Sequence, residues 1–337
     1  MKKLLCLILA MSIAVTALVG CGSSESGTAS EDGSYKIRVA HVCGPGAPFD
    51  YGAQEFKRLV EERTGGRVEV EVFAGDMTSN EIEGVEMAQN NNLEIMWCST
   101  GALGGFVQEL AIFELPFLFE DLEHIEASLA GEFGKTLLDK VSALEGIEAI
   151  GFHEDGWRNI LTNGVEINSV EDMKGVRMRS MQNEVCIAMY EALGAVPVAL
   201  SSGEQFTGLQ NGVVDGTDNS ALYAKADGYI EVVDHICDIH HFYSSGVIIC
   251  SEKWLNGLPE EDREIIVTAA QEAGAAQREW FLDSDEGLIS EYETKGYKVT
   301  RPTDIEAWKE KVAPVYEQMT AKYPTWQPLI DMVEAAK

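Results

Sequence analysis

From Tyr35 onward, strand-like runs alternate with amphipathic helical ones, and this alternation restricts the chain to parallel βαβ units. Residues 36–42 predict a strand, and Phe49, Ala53, Phe56 and Val60 then mark one face of a helix that stops near Gly65-Gly66. Val68, Val70 and Val72 alternate with Glu69 and Glu71, a strand with one wet face. Ile82, Val85 and Ala88 mark the next helix and residues 93–97 the next strand. A second set begins around Trp157. In it, Ser169 and Asp172 have capping-box spacing, residues 176–180 predict a strand, and Asn183 caps a helix carrying Val185, Met189, Ala192 and Leu193 on one face. Residues 195–200 predict another strand, and Ser201 with Glu204 a further capping box. Strands around Val214 and over 247–250 follow, and Pro259-Glu260-Glu261 opens an Ala/Glu-rich helical region reaching about Glu293. No repeat of solenoid period is evident. The predicted architecture is α/β: two lobes joined by crossing strands, with helices behind.

Charge excludes several functions. The 337-residue chain carries 25 Lys+Arg against 56 Asp+Glu, a net charge of -31, which repels nucleic acid and anionic lipid. Screening confines that field to ~8–10 Å, so a local arginine cluster can still hold a carboxylate. At the N-terminus, Lys2 and Lys3 precede an apolar run over 4–19, too short for a persistent membrane span. Leu18-Val19-Gly20-Cys21 resembles a bacterial lipobox, which implies cleavage before Cys21 and lipid on its thiol. The Gly/Ser/Glu-rich stretch 22–33 reads as a flexible tether. Five cysteines follow Cys21, an odd number with no CxxC pair. Buried free thiols are the expected state, although one disulfide is open.

Three chemistries fail on the residues. Gly44-Pro45-Gly46 sits where a dinucleotide fingerprint would, but the third glycine is missing and the proline removes a backbone donor. His235, Cys237, Asp238, His240 and His241 crowd together, yet adjacent His240 and His241 point to opposite faces of a strand. No metal or cofactor is expected. There is no GxSxG elbow, and with 56 acids a carboxylate pair alone indicates no glycosidase. A carboxylate-binding cleft fits better. Ligands of open α/β sheets bind beyond the carboxyl ends of strands, where Arg179 ends one predicted strand and Asn219 lies past another. Arg158 follows the apolar run 147–152, beside Trp157. An arginine offers a planar fork suited to a carboxylate. Structural pairing with Asp155 or Glu171 is the alternative use of these arginines.

These residues stand in motifs that resemble the extracytoplasmic solute-binding proteins (DctP type) of tripartite ATP-independent periplasmic (TRAP) transporters. The likeness runs in order through Ala40-His41-Val42, Glu62-Arg63-Thr64-Gly65-Gly66-Arg67-Val68, Glu114-Leu115-Pro116-Phe117-Leu118-Phe119 and Asp155-Gly156-Trp157-Arg158. It continues through Lys174-Gly175-Val176-Arg177-Met178-Arg179 and Gly208-Leu209-Gln210-Asn211-Gly212-Val213-Val214-Asp215-Gly216, covering roughly 37–297. The resemblance implies a periplasmic-binding-protein-like fold whose two lobes close over a small organic anion, with a long helix spanning both. It implies Arg179 as the carboxylate clamp, Asn219 as a polar contact and Arg158 as a second contact. Trp157, Phe206 and His41 complete the expected ligand set. Ala74-Gly75-Asp76-Met77-Thr78 departs from the family's usual Gly-Gln-Leu-Gly, and Trp157 replaces a commoner phenylalanine.

The expected organisation is a signal peptide (1–20), a lipidated Cys21 with its tether (21–34), lobe one (35–155 with 246–258), lobe two (156–245) and a spanning helix with a helical tail (259–337). The expected function is non-enzymatic capture of an organic acid outside the cytoplasm for a TRAP permease, at a membrane held by the lipid anchor. Arg158 with Trp157 leans towards a sugar acid such as a uronate, against a four-carbon dicarboxylate. A lipid-anchored enzyme acting on acidic sugars is the rival of another class, and a purely structural lipoprotein the third.

Overall fold

The computed structural model describes residues 33–78 and 80–337. The expected signal peptide, Cys21 and the tether up to residue 32 lie outside the described residues. Among those described, no helix is long and apolar enough to cross a membrane.

Among the described residues nine strands form one sheet: β1 (Tyr35–His41), β2 (Val68–Ala74), β3 (Ile95–Ser99), β4 (Ile147–Thr162), β5 (Arg177–Ser180), β6 (Val196–Ala199), β7 (Gly216–Asn219), β8 (His235–Ser251) and β9 (Lys298–Thr300). Their order is β2-β1-β3-β8-β4-β7-β5-β6, with β9 beside β8. Strands β1, β2 and β3 run parallel to one another, as do β5, β6 and β7, whereas β8 and β4 are antiparallel to each other, β8 to β3 and β4 to β7, and β9 runs parallel to β8. The chain therefore builds the same βαβαβ unit twice, each time with its first strand in the middle. The copies share a pattern rather than residues, so the sequence shows no repeat.

The central pair ties the two units together. Sequence patterning marks only 247–250 of β8, because its first half, His-Ile-Cys-Asp-Ile-His-His-Phe-Tyr-Ser-Ser, mixes polar with apolar residues. Of its seventeen residues only Asp238 and His240 escape full burial. The sheet is covered on both faces, and period-two alternation sorts its side chains between two cores. Met96, Cys98, Val247 and Ile249 enter one core, and Ile95, Trp97, Ile248 and Cys250 the other. The five described cysteines are all free and buried.

The helical region after Pro259 is helical to Thr294 but in two pieces. Glu260–Asp285 ends at Gly287, whose left-handed φ of 78° turns the chain into Leu288–Thr294. The first piece tracks β4 across both lobes. Gly274 lies so close that a Cβ there would sit 2.2 Å from the Phe152 carbonyl oxygen. Gln277 donates to Glu154 O and accepts from Glu154 N, and Asp285 accepts the amide of Leu222 in the helix after β7.

Candidate functional site

The strand order puts one switch point in each unit, where connections from neighbouring parallel strands leave in opposite directions. One lies beyond the carboxyl ends of β1 and β3, the other beyond β5 and β7. Side chains build these ends locally: Ser99 accepts the Ala102 amide, Asn183 that of Cys186 and Ser220 that of Tyr223, each starting a helix directly after its strand. The two switch points meet across a narrow cleft. Val42, Cys43 and Ser99 line it from the first unit, and Arg179, Met181 and Asn219 from the second. Ser202 and Glu81 approach to 3.5 Å across it.

Arg179 is 4% exposed and lies near the carboxyl end of β5. Its Nε donates to Leu200 O at 3.1 Å. Among the described residues it forms no ion pair, so the terminal nitrogens of its fork remain for the cavity. Asn219 accepts the Ser220 amide through Oδ1 and keeps its NH2 group free among the described residues.

Arg158 also lines the cavity but is largely committed. It donates to Asp218 Oδ2 and Asp218 O, both at 2.8 Å, lies 3.4 Å from Asp155 and sits over the Phe242 ring. Burial works to raise the Asp218 carboxyl, but Arg158, His241 and Arg179 outweigh it and hold it below the usual carboxylate range. The pairing with Asp155 weighed from sequence is present, with Asp218 as the stronger partner. Asp155 is the extra residue of a β-bulge between Glu154 and Gly156, which aims its side chain into the cleft.

The other expected contacts lie elsewhere. Trp157 stacks on His240 at 5.4 Å and meets Tyr243 edge-on, outside the cavity. It neighbours Arg158 on a strand, so alternation sends it to the opposite face. The β4–β8 pairing shifts register between Arg158 and Ile160, where Asn159 accepts the amides of Ile239 and His240 and His240 adopts φ 51°. His41 is buried 3.6 Å from Asp50 and edge-on to Phe49, so it backs a cavity wall without lining it. Phe206 packs near Gly228, in the second core.

Sequence reasoning missed Phe49, Glu81, Tyr223, Asp227 and Tyr229, all of which line the cavity. The strand-end rule applied to the first unit points to Ser99 and to the cap Asn80 beside Glu81; no local signal marks Asp227 or Tyr229. Burial pushes the carboxyls of Glu81, Asp155 and Asp227 up, that of Asp227 to about 6.

Comparison with known proteins agrees with this geometry. The family model for DctP, bacterial extracellular solute-binding protein family 7, matches residues 39–323. A solute-binding protein of Verminephrobacter eiseniae is 31% identical over 80% of this chain and 80% of its own. The sugar acid binding protein DctPAm of Advenella mimigardefordensis, solved with galactonate, superposes with a TM-score of 0.87 at 27% identity, covering 90% of this chain and 99% of its own. A TRAP solute-binding protein of Sulfurospirillum deleyianum, solved with succinate, gives 0.84 at 31% identity, covering 90% and 99%. The fold is thus the two-lobed α/β architecture of periplasmic binding proteins. The chain belongs to the DctP family of TRAP-transporter solute-binding proteins, a family of extracytoplasmic binding proteins.

Proposed function

We propose that the chain captures a small organic acid in the interlobe cleft, with the ligand carboxylate on Arg179, and passes it unchanged to a TRAP permease. The supporting observation is a buried guanidinium with no ion-pair partner among the described residues, set where two switch points meet. Asn219 adds a donor, and Arg158 contributes field rather than a free fork. A sugar acid is the preferred ligand. Trp157, the sequence reason for that preference, lies outside the cavity, but Phe49, Tyr223 and Tyr229 supply apolar ring faces within it. A four-carbon dicarboxylate is the second reading, favoured by the succinate bound to the Sulfurospirillum relative. Lobe one comprises 35–155 with 246–258, and lobe two 156–245, hinged where β4 and β8 cross.

Removing one member of a buried charge pair costs ~2–5 kcal/mol, so Arg179→Ala should weaken binding roughly 30- to 3000-fold. Arg179→Lys should recover little, because an ammonium lacks the planar fork. A thermal-shift screen of small acids finds the ligand, and calorimetry on the folded variants reads the loss; parental affinity in Arg179→Ala would show the clamp to be elsewhere. Recovery of the acid unaltered after incubation separates binding from catalysis.

The proposal extends to the membrane. Lipid on Cys21 anchors the mature chain, and Cys21→Ser should leave it soluble or unprocessed in cell fractionation. Unchanged fractionation, with an unmodified mature N-terminus in the parent, counts against the anchor.

A further inference from the structure

Resting on the carboxylate reading of Arg179, we propose that Glu81 and Asp227 form an acidic wall that accepts ligand hydroxyls and excludes a second carboxylate, so that the cleft selects polyhydroxylated monocarboxylates. Among the described residues, the cavity lining holds no lysine or histidine and only two arginines, Arg158 and Arg179. The first already faces Asp218 and Asp155. One fork therefore remains, enough for one carboxylate. Against it stand Glu81, Asp155 and Asp227, three acids in the same lining.

These acids are held in place by the protein yet keep lone pairs to spare. Glu81 accepts the Ser99 amide at 2.6 Å through Oε1, and the hydroxyls of Ser99 at 3.1 Å and Ser202 at 3.5 Å through Oε2. At Asp227, Gly44 and Tyr229 oppose the rise that burial gives its carboxyl. A carboxylate offers about four acceptor sites, so each retains capacity for a ligand O–H. A hydroxyl brings a donor without charge and satisfies such an acceptor. A second carboxylate brings no donor and sets like charges side by side in a site that burial has already made unfavourable for anions. Such juxtaposition costs several kcal/mol. The ring faces of Phe49, Tyr223 and Tyr229 suit the carbon skeleton between the two ends.

The test is calorimetry of the mature protein with four probes at one pH: galactonate, glucuronate, galactarate (the same chain length with a carboxylate at each end) and succinate. The monocarboxylates should bind, and both dicarboxylates should bind roughly 100-fold or more weakly. Glu81→Gln and Asp227→Asn, which keep size and one acceptor oxygen each, should each narrow that ratio by roughly tenfold or more; they sit in different lobes, so failure of one to fold leaves the other. Succinate or galactarate binding the parent as tightly as galactonate would overturn the acidic wall while leaving the Arg179 clamp standing. So would an unchanged ratio in both folded variants. If no acid binds the parent at all, the clamp and the wall fall together.

Discussion

Arg177 and Arg179 stand two residues apart in β5 and meet different fates. Arg177 is exposed and tied to Asp215, with further bonds to Gly212 O and Val213 O, whereas Arg179 is buried without an ion pair among the described residues. The strand-end rule separates them in the sequence, since only the residue nearer the carboxyl end reaches the crevice. The acids opposite were not legible in this way. Among 56 acidic residues nothing local singles out Glu81 or Asp227, and Asp155 owes its aim to a bulge. Another buried acid gives a pH prediction. Glu114 accepts the Thr100 hydroxyl through Oε1, its Oε2 has no partner among the described residues, and burial raises its carboxyl from 4.5 to about 8. The folded state therefore binds this proton more tightly than the unfolded chain. Its contribution to stability is fully present below the ordinary value and declines as pH rises towards about 8. Glu114→Gln removes the titration, so its urea-unfolding free energy should fall less than the parent's between about pH 5 and about pH 8. Equal slopes in the two proteins would contradict the assignment.

At the scale of elements, the two βαβαβ units were legible because each strand and helix has its own period and cap. Both capping boxes, Ser169 with Asp172 and Ser201 with Glu204, formed as spaced. The central pair was not legible. Strands β4 and β8 pass from one environment to another along their length, so neither shows a single alternation, and register shifts interrupt their pairing at Ala149/Gly151, Glu154/Gly156 and Arg158/Ile160. The helical region after Pro259 was placed correctly at its start and its far end, but its break was not, since Gly287 carries no mark distinguishing a break from a tolerated helical glycine. Where the two long strands cross, Gly246 has no room for a side chain: a Cβ would lie 1.9 Å from the His153 ring. Gly156, at φ 92°, faces Phe281 at 2.5 Å in the same sense. Gly246→Ala should therefore destabilise the fold by ~1–3 kcal/mol through overpacking, read as a lower urea midpoint. A parental midpoint would show that the crossing yields freely.

For the whole molecule, the two units meet at their switch points and are joined through the crossing of β4 and β8, backed by one helix. This arrangement suits rotation of one lobe about the other, with the cavity lining divided between them: Arg179 and Asn219 on one side, Glu81 and Ser99 on the other. A ligand bound by both lobes favours the closed state by the difference in its affinity for the two states. The net charge of -31 bears on approach and solubility, while the cleft handles its own charge locally. Small-angle scattering on the parent and on Arg179→Ala, each with and without the acid found by screening at one fixed concentration, tests the central claim most directly. The account predicts a smaller radius of gyration for the parent on binding and no change for the variant. Identical parent profiles in the two states, or equal contraction of the variant, would contradict capture of an acid by Arg179 between closing lobes.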